Sequence, residues 1–206
     1  MKHIYSLILI VAIITISCQP VYKAENTDQI VKQHKTIAIL PTKALIEIKK
    51  SAEADKIKAQ EKIESLKLQA GLYDRFQERI KVKNLDIYVL PNDSTNKILQ
   101  DNHIIVSQTS YQKIAEILKV DAIVVSKVSM AKPLTNAEAF FSSLLAGPAF
   151  NSKVTTADIS IIDKASGRMF WNFTWENSGT FVSADALTKS LMKSAVVRFP
   201  YNPEKK

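Results

Sequence analysis

Cys18 is the sole cysteine of this 206-residue chain, and its position constrains everything after it. It stands just behind a 13-residue apolar run, Ile4 to Ile16, that follows a short basic start at Lys2 and His3. A bilayer-spanning helix needs about 20 apolar residues, so this run fits the core of a secretory signal better than a membrane span. Thr15-Ile16-Ser17-Cys18 has the form of a bacterial lipobox, with a small residue before the cysteine and Thr15 where Leu is usual. On that reading residues 1–17 are a lipoprotein signal peptide, cut before Cys18. The thiol takes a diacylglycerol and the new amino terminus an N-acyl chain such as palmitate. An uncleaved N-terminal anchor is the competing reading. No second cysteine is left for an intramolecular disulfide, so an exported domain built on this chain must hold by packing.

The chain carries 28 Lys and Arg against 20 Asp and Glu, a formal charge of +8. Cleavage before Cys18 removes only Lys2, leaving 27 against 20 and a net +7. For an exported lipoprotein, that balance suits anionic lipid heads or an acidic envelope partner, or is simply a solvated lysine-rich surface. The lysines are dispersed, and no arginine cluster interleaved with aromatics indicates nucleic-acid binding. Gln19 follows the cysteine, with no aspartate to signal inner-membrane retention and no acidic run to signal surface export. The expected location is the outer membrane, lipid-anchored, on the periplasmic face.

Residues 18–35 are polar and without periodicity, and read as a lipidated tether; a single domain is expected over 36–199 and a C-terminal tail over 200–206. Thr36–Leu40, stopped by Pro41, is a buried-strand pattern. A long helix is expected over about 45–82. Ile63, Leu66, Ala70, Tyr73 and Ile80 form its apolar face, widened by Leu68, Leu72 and Phe76. The earlier part, Lys49 to Lys62, is mostly charged or small and is expected in solvent or against a partner. Leu85–Leu90 reads as a second strand. Asn92 to Thr95 supply caps for a short helix, and a further helix opens near Ser110. Asp121–Val128 is a third strand. Thr155–Asp163 and Arg168–Asn177 flank Lys164-Ala165-Ser166-Gly167 as a hairpin, with Met169, Trp171, Phe173 and Trp175 on one face. A closing helix over about 183–198 carries Leu187, Leu191 and Ala195, with Met192 and Val196 beside them. The order gives an α/β fold, a mixed sheet flanked by helices.

Four segments carry a family likeness. Thr36–Pro41 resembles an "IAVLPF" opening strand. Leu85 to Val106 resembles a strand and "L-x-x-I-L-x-x-x" helix. Ile117–Ser126 resembles "LGVDYVVVG", with Lys119 and Ser126 in place of glycines. Ile159–Trp171 resembles "LRLIDVKTGEILW". In this order they are similar to the periplasmic domain of CsgG/LpoB-type lipoproteins, a group that includes the curli-channel subunit and a penicillin-binding-protein activator. The resemblance implies a CsgG/LpoB-like (TolB N-terminal-domain-like) sandwich. It also implies a scaffold that oligomerises or docks on an envelope partner, not an enzyme. In this reading Asp163 and Gly167 serve a turn and Trp171 fills the core.

The residues themselves point the same way. His34 and His103 lie far apart and lack metal-ligand spacing, so no metal site and surface positions for both are expected. Neither G-x-S-x-G nor a P-loop occurs, and no cofactor or small-molecule substrate is implied. Asp158 and Asp163 share a strand at odd separation and so point to opposite faces, which argues against a paired acid–base role. Ala139–Phe150 is unusually apolar for a loop. Phe140, Phe141, Leu144, Leu145 and Phe150 are the candidate contacts to a partner or membrane; a helix packed on its own domain competes with that reading. The function these features favour is a non-catalytic assembly, activator or adaptor protein of the envelope. The alternative is a subunit of a curli-channel-like secretion pore, which would need alternating strands of about 9–11 residues.

Overall fold

The computed structural model describes residues 21–47, 54–83, 85–131, 152–176, 180–181, 184–195 and 198–202. Cys18, Phe140, Phe141, Leu144, Leu145, Phe150 and Val196 lie outside the described residues. The fold is α/β, an eight-stranded mixed sheet with helices on its faces. The sheet runs β1 (Val21–Lys23), β7 (Met169–Glu176), β6 (Ser152–Asp163), β5 (Ala122–Ala131), β2 (Thr36–Ile39) and β4 (Tyr88–Leu90). β3 (Lys43–Glu47) pairs with β5 beyond β2, and β8 (Thr180–Phe181) pairs with the start of β6. β2 and β3 run parallel to β5, β6 is antiparallel to it, β7 returns against β6, and β1 is antiparallel to β7. The two ends of the sheet can therefore be named. β3 and β5 finish and β6 begins at the upper end; β2 begins and the β6–β7 turn closes at the lower end.

Helix α2 (Ala54–Lys81) is 28 residues long, which spans about 42 Å. It descends along β3 and β2. Glu61 Oε1 accepts the Ile46 amide at 3.0 Å near the upper end, and Gln69 Nε2 donates to the Ile39 carbonyl at 2.8 Å lower down. Among the described residues β3 pairs with β5 alone, so the Glu61 contact occupies an amide that this pairing leaves open. Helices α3 (Asn92–Asp101) and α4 (Tyr111–Leu118) pack on the other part of the core, with Leu99, Ile114, Ala115 and Leu118 buried. The last helix, α5 (Ala184–Ala195), lies beside α2 and buries Leu187, Leu191, Met192 and Ala195. An added Cβ at Gly71 of α2 would sit 2.6 Å from Thr188 Oγ1 of α5, so glycine sets how closely these helices approach.

Four sequence expectations are corrected. The long helix does not start at 45: Leu45–Glu47 belong to β3, because pairing with Ser129–Ala131 captures an apolar alternation that also fits a helix. Its buried stripe is Leu68, Leu72 and Phe76, one every four residues, while Ile63 and Leu66 are 48% and 45% exposed. On β7 the register shifts opposite Ile161 and Ile162, so that Trp171 and Met169 are paired and Phe170 is the bulged residue. Met169 is thereby left exposed while Phe170 joins Trp171, Phe173 and Trp175 in the core. Finally, α3 starts at Asn92 behind Pro91, with no side-chain cap bond, although Ser110 does cap α4 by accepting the Lys113 amide.

Both ends of the expected domain are also corrected. Residues 21–35 are not a tether. β1 extends the sheet, α1 (Thr27–Gln33) folds back, and Thr27 Oγ1 is held by the Ala24 and Phe170 carbonyls at 2.6 and 3.3 Å. A polar sequence hides this because the segment contributes backbone pairing and a few half-buried contacts, Val21, Ala24, Ile30 and Val31, rather than an apolar stripe. At the other end Tyr201 is buried, so the tail starts after it.

Candidate functional site

The densest polar cluster among the described residues is at the lower end of the sheet, where three distant parts of the chain meet. His34 follows α1, Asp163 ends β6, and Tyr201 lies behind α5. His34 Nδ1 is 2.8 Å from the Tyr201 hydroxyl, and His34 Nε2 is 3.0 Å from Asp163 Oδ1. The carboxylate can only accept, so Nε2–H donates to it and, in the neutral ring, Nδ1 accepts from the phenol. Asp163 Oδ2 also accepts from the Ser166 amide at 2.7 Å and its hydroxyl at 2.6 Å, which closes the hairpin turn. Gly167 completes that turn at a φ of +68°, a backbone conformation that a side chain would strain. Next to it, Asp121 Oδ2 accepts from the Lys35 and Thr36 amides at 2.8 and 3.0 Å and from Thr36 Oγ1 at 3.1 Å. Lys164 Nζ lies 3.8 Å from the other Asp121 oxygen.

His34, expected on the surface, is instead buried, and its ring meets Phe170 edge-on at 5.5 Å. The turn and core roles expected of Asp163, Gly167 and Trp171 are observed, the indole N–H of Trp171 donating to the Arg198 carbonyl at 3.0 Å. Asp158 is engaged elsewhere, accepting from Thr174 Oγ1 at 2.7 Å. His103 is exposed, in the left-handed region after α3.

The electrostatics of this cluster follow from its burial and its hydrogen bonds. Burial alone would push the Asp163 carboxyl up, but the hydrogen bonds from Ser166 and His34 and the local amides outweigh it and hold the carboxyl below its ordinary value. Asp121 is lowered in the same way by the Lys35 and Thr36 donors against its own desolvation. Tyr201 moves the opposite way: burial, then the negative charges of Asp163 and Asp121, raise it well above an ordinary phenol. Its hydroxyl stays protonated and donates to His34; a nucleophilic phenolate would need the reverse shift. A cleft of about 750 Å³ opens beside His34, between Lys83, Asp86 and Tyr88. Among the described residues no group of three His, Cys, Asp or Glu side chains could hold a metal ion.

Sequence reasoning missed this cluster because His34 lies 129 positions from Asp163 and 167 from Tyr201, and only the turn half of Asp163's role has a local signature.

No protein-family model matches the chain, and no curated protein does. Solved structures with a similar fold include lipoprotein GNA1162 from Neisseria meningitidis, 14% identical over 80% of this chain and 96% of that one, at a TM-score of 0.47. The LpoB C-terminal domain from Salmonella enterica is 8% identical over 74% and 96%, at a TM-score of 0.37. The PelC dodecamer from Paraburkholderia phytofirmans is 13% identical over 84% and 90%, at a TM-score of 0.37. The similar folds thus include bacterial lipoproteins, and they carry no residue role or partner over to this chain.

Proposed function

We propose that this chain is a non-catalytic lipoprotein of the outer membrane, facing the periplasm, that acts by protein contact as an assembly or activator/adaptor protein of the envelope. The observation that carries this is the placement of Cys18 behind an apolar leader and directly ahead of a folded domain, with only Gln19 and Pro20 between it and β1. The principal titratable cluster of that domain is committed to tying the chain together, which leaves the surface as the working part. Its partner is an envelope protein or a second copy, and Phe140, Phe141, Leu144, Leu145 and Phe150 are the apolar residues proposed to make that contact or to touch membrane. The pore alternative is less well supported, since residues 54–81 form a helix where a long amphipathic hairpin could have been.

The deciding measurement is the intact mass of the protein purified from native membranes. A chain beginning at Cys18 and carrying diacylglycerol and N-acyl mass is expected. An unacylated chain that still begins at Met1 overturns the proposal. Ring-sized particles in detergent would move the reading to the pore, whereas co-purification of one envelope protein with a monomer supports the adaptor.

A further inference from the structure

Among the described residues β4 pairs with β2 alone, and its other edge carries no strand. The Tyr88 amide donates to the Lys35 carbonyl at 3.0 Å, and Tyr88 and Leu90 stand opposite Thr36 and Ala38, so their peptide groups turn toward β2. Alternation along the strand then turns the amide and carbonyl of Val89 to the outer edge. Asp86 follows Tyr88, donating to the Tyr201 carbonyl at 3.2 Å, which sets Ile87 outward with Val89. Backbone groups presented this way are a template for another strand.

The cleft of about 750 Å³ beside His34 lies along this edge. Ile80, Leu85 and Ile87 supply its apolar lining, and Tyr88 beside them is 56% exposed. Lys35 and Lys83 line it as well, both exposed, and the last turn of α2 adds Arg79 and Lys81 on either side of Ile80. The carboxylates nearby do not balance them. Glu78 is held by Arg75 at 2.7 Å, and Asp121 accepts from the Lys35 and Thr36 amides and faces Lys164. Asp86 is the one exposed acid among the described lining residues.

We infer that this edge and cleft form a docking site for an extended acidic segment of a partner protein, which adds to the sheet as a strand beside β4. Its backbone pairs with the outward groups of Ile87 and Val89, its apolar side chains cover the lining, and its carboxylates meet Lys35 and Lys83. Charge chooses this occupant over a second copy, because a copy docked by the same cleft brings the same cations. The inference deepens the adaptor reading above by naming a contact surface and the chemistry of what it binds. Its test makes no use of the anchor, so its failure leaves the acylation of Cys18 standing.

The probe is a rhodamine-labelled peptide of alternating glutamate and valine, titrated with the full chain in neutral detergent and read by fluorescence anisotropy. Saturable binding is expected, with none for a lysine–valine peptide of the same length. Lys35→Glu with Lys83→Glu should weaken it about tenfold or more, whereas Lys58→Glu with Lys62→Glu, the same charge change at the other end of α2, should leave it within about twofold. All four positions are exposed, so the fold is not at risk. The same peptide methylated at every backbone nitrogen keeps its carboxylates but cannot donate to a strand edge, and should lose binding about tenfold or more. If the methylated peptide binds as tightly as its parent, the site is a charge patch open to any polyanion and the strand addition is overturned. If only a chain ended after Asn202 binds, residues 203–206 are the occupant and the partner is overturned. No saturation by either chain below about 1 mM overturns the site itself.

Discussion

The two ends of this sheet are built on different principles. At the lower end three chain segments converge on buried polar groups, and every member of the His34–Asp163–Tyr201 set has a partner. At the upper end the described part of the long helix opens on exposed Lys56 and Lys58, and Glu64, buried two turns further on, has an oxygen without a hydrogen-bond partner among the described residues. The difference shows how a chain without a disulfide can fix its termini. Polar cross-ties join the N-terminal segment, the hairpin and the C-terminal segment at the lower end. Removing Asp163 is therefore expected to be the most damaging single change to the comparison. Asp163→Ala strands the His34 Nε2 proton and the Ser166 amide in a buried site and should cost about 3 kcal/mol. At this chain length that lowers Tm by about 10 °C in a thermal melt. A loss below about 1 kcal/mol would mean that water replaces the carboxylate and that the lower end is no tighter than the upper.

Acid should distinguish the ends without mutation. Asp163 and Asp121 are both held below their ordinary value of 3.8 in the folded state. Their contribution to stability is therefore complete above that value and is lost as pH falls through their lower folded values. Urea midpoints should be flat from about pH 7 to 5 with respect to these two groups and fall below about pH 4. Asp163→Asn should flatten that acid limb, since it cannot titrate. Tyr201→Phe is a smaller test of the same tie. It removes one donor and leaves His34 Nδ1 unpaired, for about 1 kcal/mol, with no change in the acid limb.

The parts of this fold that local pattern could specify were legible. The apolar runs at 36–40 and 121–128, the Asp163–Gly167 turn and the stripe of Leu187, Leu191 and Ala195 each carry their own period or turn chemistry, and each lies where expected. What was hidden depends on distant pairing. Val21–Lys23 is a strand only because β7 offers an edge, and Leu45–Glu47 leaves the helix only because β5 extends past β2. His34 reads as a surface residue until Asp163 and Tyr201 are brought to it. The same holds for the candidate site as a whole. Asp163 and Trp171 were found in their structural roles, while the anchor at Cys18 and the apolar group around Phe140 and Phe150 stand on sequence alone.

The helix stripe gives the finest test of the contrast. Ile63 and Leu66 fit the three-four spacing of a core face, yet they are about half exposed on the upper half of α2, while Leu72 on the lower half is fully enclosed. Burial rather than hydrophobicity should set the cost. Leu72→Ala is expected to lose about 3 kcal/mol through lost contacts and a cavity under the helix. Ile63→Ser with Leu66→Ser should stay within about 0.5 kcal/mol, the range of surface changes that touch no special feature. Chemical denaturation of the three proteins measures both. If the double serine variant loses as much as Leu72→Ala, those residues pack against the domain after all. If it keeps its stability but loses a protein that co-purifies with the unaltered chain, the exposed pair belongs to a contact surface on α2.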